Sequence, residues 1–393
     1  MLTDHLPHGD GQIAFSLLSE LARRGHQVYA VTPRLEVRGH IHGNLHIKVL
    51  ETPGGALGRL LFMAKMRAYY QELSRTVQFD LMHQLNPVFT GVSLAMLGSG
   101  LPQVLGAYFG QWPSDPETIT GGKGWKATLA GKAQRAIATL QQRAADLLVL
   151  TGPNAAERLP SPKAAEGKVR MLGLGTDTAF FSPAADYLSE RRFEAEQQNP
   201  AVLFLANVSL RKGIVPLVHA WKQVVAEIPN AKLTVAGLGP DLATMRALAA
   251  EVGVADNIRF HGQQKREETP LFFRDHALYV LPSFGEPYGL ALQEAMSCGR
   301  PVISTAAGGP KTLVQPESGL LVPMGDADAL ARAIVVMLRD PAMRREMAAA
   351  NRKRALETMS WPAIVEVLER YYAELLPAFE ASAATPASFP WAA

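Results

Sequence analysis

Short apolar, β-branched runs alternate with helix-length amphipathic segments over almost the whole chain, and this rhythm limits the folds open to it. In the first half, Leu17, Leu18, Leu21 and Ala22 form one helical stripe that stops at Gly25, and residues 26–32 then read as a strand ended by Pro33. Further strands are predicted at 45–50, 79–83, 103–105, 146–150 and 168–172, with helices at 57–77 and 126–143. The second half repeats the pattern with strands at 201–206, 233–236, 258–261, 277–281 and 301–304. Strands that alternate with helices at this spacing build parallel sheets covered by helices on both faces. They are too many for one comfortable sheet, so the expected class is α/β with two doubly wound, Rossmann-like domains.

The boundary is placed in residues 181–200, where Ser182-Pro183 is followed by the charged run Glu190–Glu196 and by Asn199-Pro200. The expected domains are therefore 1–185 and 186–358. A helix at 359–376 and a flexible tail at 377–393, rich in Ala, Ser, Pro and Thr, follow them. Only Met1-Leu2-Thr3 precedes the first loop, so a first strand is almost absent: either the start lies upstream or the first sheet is short by most of a strand.

Composition narrows the function classes. No apolar run approaches the ~18 to 20 residues of a membrane-spanning helix, and no basic stretch with an apolar core marks a secretory leader. The single cysteine, Cys298, can form neither an internal disulfide nor a thiolate zinc site, which fits a cytoplasmic setting. A net charge of +3 does not argue for nucleic acid. Residues 1–150 carry 14 Lys and Arg against 10 Asp and Glu, a weakly basic half that suits an anionic partner or membrane surface. The stretch 57–67 mixes apolar and basic residues and reads either as a membrane-touching segment or as a covering helix. His40, His42 and His46 could bind a metal, but no carboxylate pattern accompanies them and a polar loop is the reading preferred.

The segment 281–299 carries the most chemistry. A strand ends at Leu281, a loop holds Glu286, and Pro287 and Gly289 precede a helix that stops at Gly299. Such a loop, at the carboxyl end of a parallel strand, is where these sheets bind ligands, and unpaired amides near Gly289 and Leu290 could hold a phosphate. Glu294 admits two readings. It is a buried carboxylate that would accept hydrogen bonds from a ribose diol, or it shares one solvated stripe with Gln293 and Ser297. In a second strand–loop–helix segment, 202–213, Arg211 and Lys212 are two cations able to neutralise a diphosphate leaving group.

At this level of detail Ser283-x-x-Glu286-x7-Glu294-Ala-Met-x-Cys-Gly299-x-Pro-Val resembles the E-x7-E region of the family-4 retaining glycosyltransferases, which have the GT-B fold. Gly25-His26, Gly175-Thr-Asp177, Lys212-Gly213, Gly237-x-Gly239-Pro240, Gly308-Gly309-Pro310, Gly319-Leu-Leu-Val-Pro323 and Ser360-Trp361 continue the series, from about residue 9 to 372. The resemblance implies transfer of a hexosyl group from a UDP- or GDP-sugar, with retention, and with two domains facing a cleft. By it, Glu286 contacts the donor sugar, Glu294 the ribose, and Lys212 the phosphates. Arg211, Tyr288, Gly289, Leu290 and Asn207 line the donor site, and Gly9 and Gly11 let backbone approach the diphosphate.

The same resemblance implies no cofactor beyond the nucleotide-sugar co-substrate and no obligatory metal; no Asp-x-Asp pair is present. It also returns the last helix to the first domain, and points to a carbohydrate or lipid-linked acceptor at the inner face of the membrane. The chain departs from the family in three places. Asn207 stands where an arginine is common, Thr312 where a glutamate is common, and the usual first-domain histidine is missing beside Tyr108 and Phe109, leaving His83 as the nearest candidate for a catalytic role. These departures keep open a rival, a nucleotide-sugar-binding protein without turnover. A pyridoxal-phosphate phosphorylase of the same broad fold is disfavoured by the short chain.

Overall fold

The computed structural model describes residues 10–35, 41–85, 88, 90–108, 125–157 and 159–376. Gly9, His40, Phe109 and the tail 377–393 lie outside them. The chain divides into two compact units: the residues up to Gly175 together with those from Trp361, and Thr176–Ser360.

In the first unit, β1 (Val28–Thr32) pairs in parallel with β2 (Leu45–Val49). A second parallel ladder runs β3 (Met82–Gln84), β4 (Gln103–Tyr108), β5 (Leu147–Leu150) and β6 (Val169–Met171). The helix Asp10–Arg23 buries Leu18, Leu21 and Ala22 against Val28, Ile364 and Leu368. The helix Trp361–Leu375 is thereby part of this unit's core, and Arg24 fixes it further with two hydrogen bonds, 2.9 and 2.6 Å, to Glu369. Among the described residues no helix is long and apolar enough to cross a membrane.

The second unit is one parallel sheet of six strands: β7 (Ala201–Leu205), β8 (Lys232–Ala236), β9 (Ile258–Gly262), β10 (Leu278–Leu281), β11 (Val302–Thr305) and β12 (Gly319–Val322). Their order is β12-β11-β10-β7-β8-β9. Counted from β7 it is the 3-2-1-4-5-6 order of dinucleotide-binding sheets, whose strand direction of travel reverses between the first and fourth strands. Here that switch point lies between β7 and β10. All residues of β10 and β11 are buried, as expected of strands covered on both faces. The helix Ile214–Glu227 covers one face and buries Trp221 completely. Asp326 and Asp340 cap the helices Ala327–Arg339 and Pro341–Arg354 by accepting from the amides of Ala329 and Met343, each at 2.8 Å.

Three sequence expectations need correction. The division falls at Gly175/Thr176 rather than at 185/186, because Phe181 is buried in the second unit's core. The charged run after it is not a linker: Ser189 caps a helix, Glu190–Gln198, that buries Phe193. Finally, β12 is a strand that sequence periodicity left unassigned, since Gly319–Val322 is only four residues long at a sheet edge.

Candidate functional site

The second unit gathers most of the singled-out side chains around the switch point. After β7 the chain passes Asn207, which is exposed, and enters a 3₁₀ turn, Leu210–Lys212, anchored by the Leu210 amide on Asp241 at 2.8 Å. Gly213 closes that turn at φ 75°, and a Cβ there would stand 1.9 Å from the Pro282 carbonyl oxygen. Only glycine lets the β7 loop come so close to the β10 loop. Two hydrogen bonds then join the loops: Phe284 N to Arg211 O, and Arg211 Nη1 to Gly285 O, both 2.8 Å.

This contact brings Lys212 onto Glu286. Their ion pair is direct, Nζ to Oε2, with side chains only 14% and 13% exposed. The Glu286 carbonyl accepts from Gly309 N at 2.8 Å, and a Cβ on Gly308 would collide with that same carbonyl at 2.3 Å. The paired glycines therefore form a seat for the Glu286 loop. Tyr288 is buried. Gly289 (φ 101°) supplies no side-chain cap to the helix Leu290–Ser297, and the first amides of a helix have no intrahelical acceptor. Thr312 is half-buried and donates to Gly309 O at 3.2 Å.

Glu294 resolves in favour of burial. Gln293 and Ser297, its supposed partners on a solvated stripe, are 0% exposed, and Ser297 donates to Phe181 O at 2.6 Å. The Glu294 side chain is 19% exposed and has Arg266 Nη1 at 3.8 Å. Burial pushes its carboxyl up to about 7, and Arg266 only partly offsets this. Both carboxylates act on one neighbour: Tyr279, whose hydroxyl donates to Leu205 O at 3.0 Å, is held well above the usual phenol range by burial, then by Glu286 and Glu294. Sequence reading missed Arg266, which lies over the rings of Phe180 and Phe181 at 5.4 Å. Its run, Lys265-Arg-Glu-Glu268, has the pattern of an ordinary exposed turn and gave no signal.

Other candidates fall elsewhere. Gly11 is a buried residue of the helix Asp10–Arg23 in the first unit. His83, in β3, is 2% exposed with both ring nitrogens engaged: Nε2 donates to Gly106 O at 3.1 Å and Nδ1 accepts from the Tyr372 hydroxyl at 2.6 Å. Burial holds it at about 3, so it stays neutral. Its hydrogen bond to Tyr372 joins the last helix to β3. Cys298 is fully buried, and burial pushes its thiol up to about 12.

Residues 188–354 match the family described as glycosyl transferases group 1. Among curated relatives, the D-inositol 3-phosphate glycosyltransferase of Salinispora arenicola is 32% identical over 54% of this chain and 51% of its own length. A GDP-mannose-dependent phosphatidylinositol monomannoside mannosyltransferase of Mycolicibacterium smegmatis is 28% identical over 55% and 59%. The chain thus spans about half the length of the curated relatives it matches. In fold it is similar to Anabaena HepE solved with UDP, at a TM-score of 0.73 and 17% identity over 95% of this chain and 98% of that one. A 3-2-1-4-5-6 sheet, a match of residues 188–354 to the family described as glycosyl transferases group 1 and a whole-chain likeness of fold converge on one conclusion: the chain has the GT-B fold.

Proposed function

We propose that the protein is a retaining hexosyltransferase that takes a UDP- or GDP-sugar and works without an obligatory metal or other cofactor. The observation that carries this reading is the Lys212–Glu286 pair at the switch point, beside the uncapped start of the helix Leu290–Ser297. When the bond between the anomeric carbon and the distal phosphate breaks, negative charge develops on the leaving diphosphate. Lys212, Arg211 and the first amides of that helix are the groups placed to stabilise it. Glu286, held by Lys212, orients sugar hydroxyls, and Glu294 accepts from the ribose.

The acceptor is a carbohydrate or a lipid-linked glycan of the cell envelope, as the names of the relatives suggest. The helix Gly55–Leu73 supports a peripheral contact with an anionic membrane at its cytoplasmic face. It buries Phe62 and Met66 but leaves Leu57, Leu60 and Leu61 exposed beside Arg59 and Lys65.

Incubation with a panel of nucleotide sugars and an acceptor pool, with and without EDTA, tests this reading. Free nucleotide should appear, EDTA should not stop it, and the product should keep the donor's anomeric configuration by NMR. Binding without release on any acceptor would instead support the non-catalytic sugar-nucleotide binder that Asn207 and Thr312 leave open.

A further inference from the structure

Arg266 owes its place to three segments of the second unit. It opens the 3₁₀ turn Arg266–Glu268 that follows β9. That turn is pinned at its start: the Lys265 amide donates to Glu268 Oε2 at 3.4 Å, and the Glu268 amide to Lys265 O at 3.1 Å. Just before it, the Gln264 side chain donates to Gly262 O at 3.0 Å. The Arg266 guanidinium then lies 5.4 Å from the ring centres of both Phe180 and Phe181, which meet edge to face at 4.9 Å. Cation–π attraction seats a guanidinium at such distances. Phe181 is itself fixed, being 1% exposed with its carbonyl accepting from Ser297 on the helix Leu290–Ser297. Ser297 stands three residues after Glu294, a spacing that puts both on one side of that helix. The aromatic pair is therefore fastened to the helix that carries the carboxylate, and it presents Arg266 Nη1 to Glu294 Oε1 at 3.8 Å.

We infer that Arg266 is a positioning residue for nucleotide binding that acts through Glu294: it holds the carboxylate as an anion facing the ribose without occupying its acceptor positions. The inference rests on the proposed contact of Glu294 with the ribose. At 3.8 Å the pair is too long for a hydrogen bond. The guanidinium thus lends its field, while the carboxylate oxygens remain for the two hydroxyls of a ribose diol. Burial alone would favour a neutral carboxyl, which accepts less strongly, and Arg266 is the charge that opposes this. The nearby cations have other partners: Arg274 donates to Ser182 O at 2.7 Å and Arg352 to Ser297 O at 2.9 Å. Tyr279 of β10 and Cys298 at the end of the same helix, whose titrations feel Glu294, are both kept neutral by burial.

Affinities for UDP and GDP are measured by calorimetric titration on the full chain, Arg266→Ala, Arg266→Lys, Glu294→Gln and the double variant Arg266→Ala/Glu294→Gln. The Arg266 side chain is 47% exposed, so its removal leaves the core intact, and melting curves check that each variant is folded. Arg266→Ala should weaken nucleotide binding by about five- to tenfold, and Arg266→Lys, which keeps the charge, by no more than about twofold. In the Glu294→Gln background Arg266→Ala should have no further effect, because the group it acts through is gone. An equal loss from Arg266→Ala in both backgrounds overturns the inference and makes Arg266 a direct contact of the nucleotide. So does a lysine variant as weak as the alanine one, which would leave shape rather than charge as the cause. Wild-type affinity in Arg266→Ala beside a weakened Glu294→Gln also overturns it, with the ribose contact left standing. Wild-type affinity in Glu294→Gln removes the ribose contact itself and the inference with it.

Discussion

Glu294→Gln should strengthen the fold while weakening nucleotide binding, and these opposite signs make it the most informative substitution. The free carboxyl is shifted from 4.5 to about 7 by burial. A group whose folded pKa is raised carries no penalty below its unfolded value and an increasing one as pH rises towards the folded value. At 1.36 kcal/mol per pKa unit the penalty at pH 8 is roughly 3 kcal/mol, a figure already net of the attraction of Arg266. Glutamine should therefore raise stability at pH 8 by about 1–3 kcal/mol, a few degrees in melting temperature for a unit of this size, and have no such effect at pH 4. If the carboxylate accepts from the ribose, the same change should weaken UDP or GDP by about 1–3 kcal/mol. Wild-type affinity should then also tighten as pH rises through 7. Calorimetric titration of UDP and GDP between pH 5.5 and 8.5, with thermal melts at each pH, reads both effects. Stability gained with unchanged affinity would remove Glu294 from the ribose site and leave it a buried acid of no assigned role.

Glu286→Gln should lower turnover by roughly 10²-fold with little change in nucleotide affinity, because it acts where the sugar is oriented; unchanged nucleotide release would refute that placement. Glu196→Gln should destabilise the protein by about 3–5 kcal/mol, measured by denaturant melts, since it removes the carboxylate that faces two buried cations. Arg300 donates to Glu196 at 2.7 Å, and Arg344 lies 3.7 Å away. The exposed pair Arg339–Glu227 is the control, with an expected effect below ~1 kcal/mol. Burial alone would raise the Glu369 carboxyl, but hydrogen bonds from His26 and Arg24 outweigh it and hold the group at about 2. Its folded pKa is depressed, so its stabilisation is present above pH 4.5 and lost as pH falls towards 2. Glu369→Gln should flatten the stability curve in that window, and an unaltered slope would contradict the pairing.

The alternation of apolar runs with amphipathic helices was enough for the fold class, because strands covered on both faces must be apolar throughout and covering helices on one face only. The site loops were also legible. A glycine after a strand and before a helix marks a tight turn, and Lys212, Glu286 and Gly289 each stand in such a turn. Burial was not legible, because it depends on neighbours far away in the chain. Glu294, Gln293 and Ser297 have the spacing of a solvated face, yet Phe181, more than a hundred residues earlier, accepts from Ser297 and closes that face. The run Glu190–Glu196 is charged enough for a linker, yet its last residue faces Arg300 and Arg344, brought in by later elements of the same unit. Nor does the local pattern around His83 show that Tyr372, from the last helix, donates to its Nδ1. Local spacing determined which residues could form each element. Only tertiary contact decided which charges lost their water, and with it their pKa.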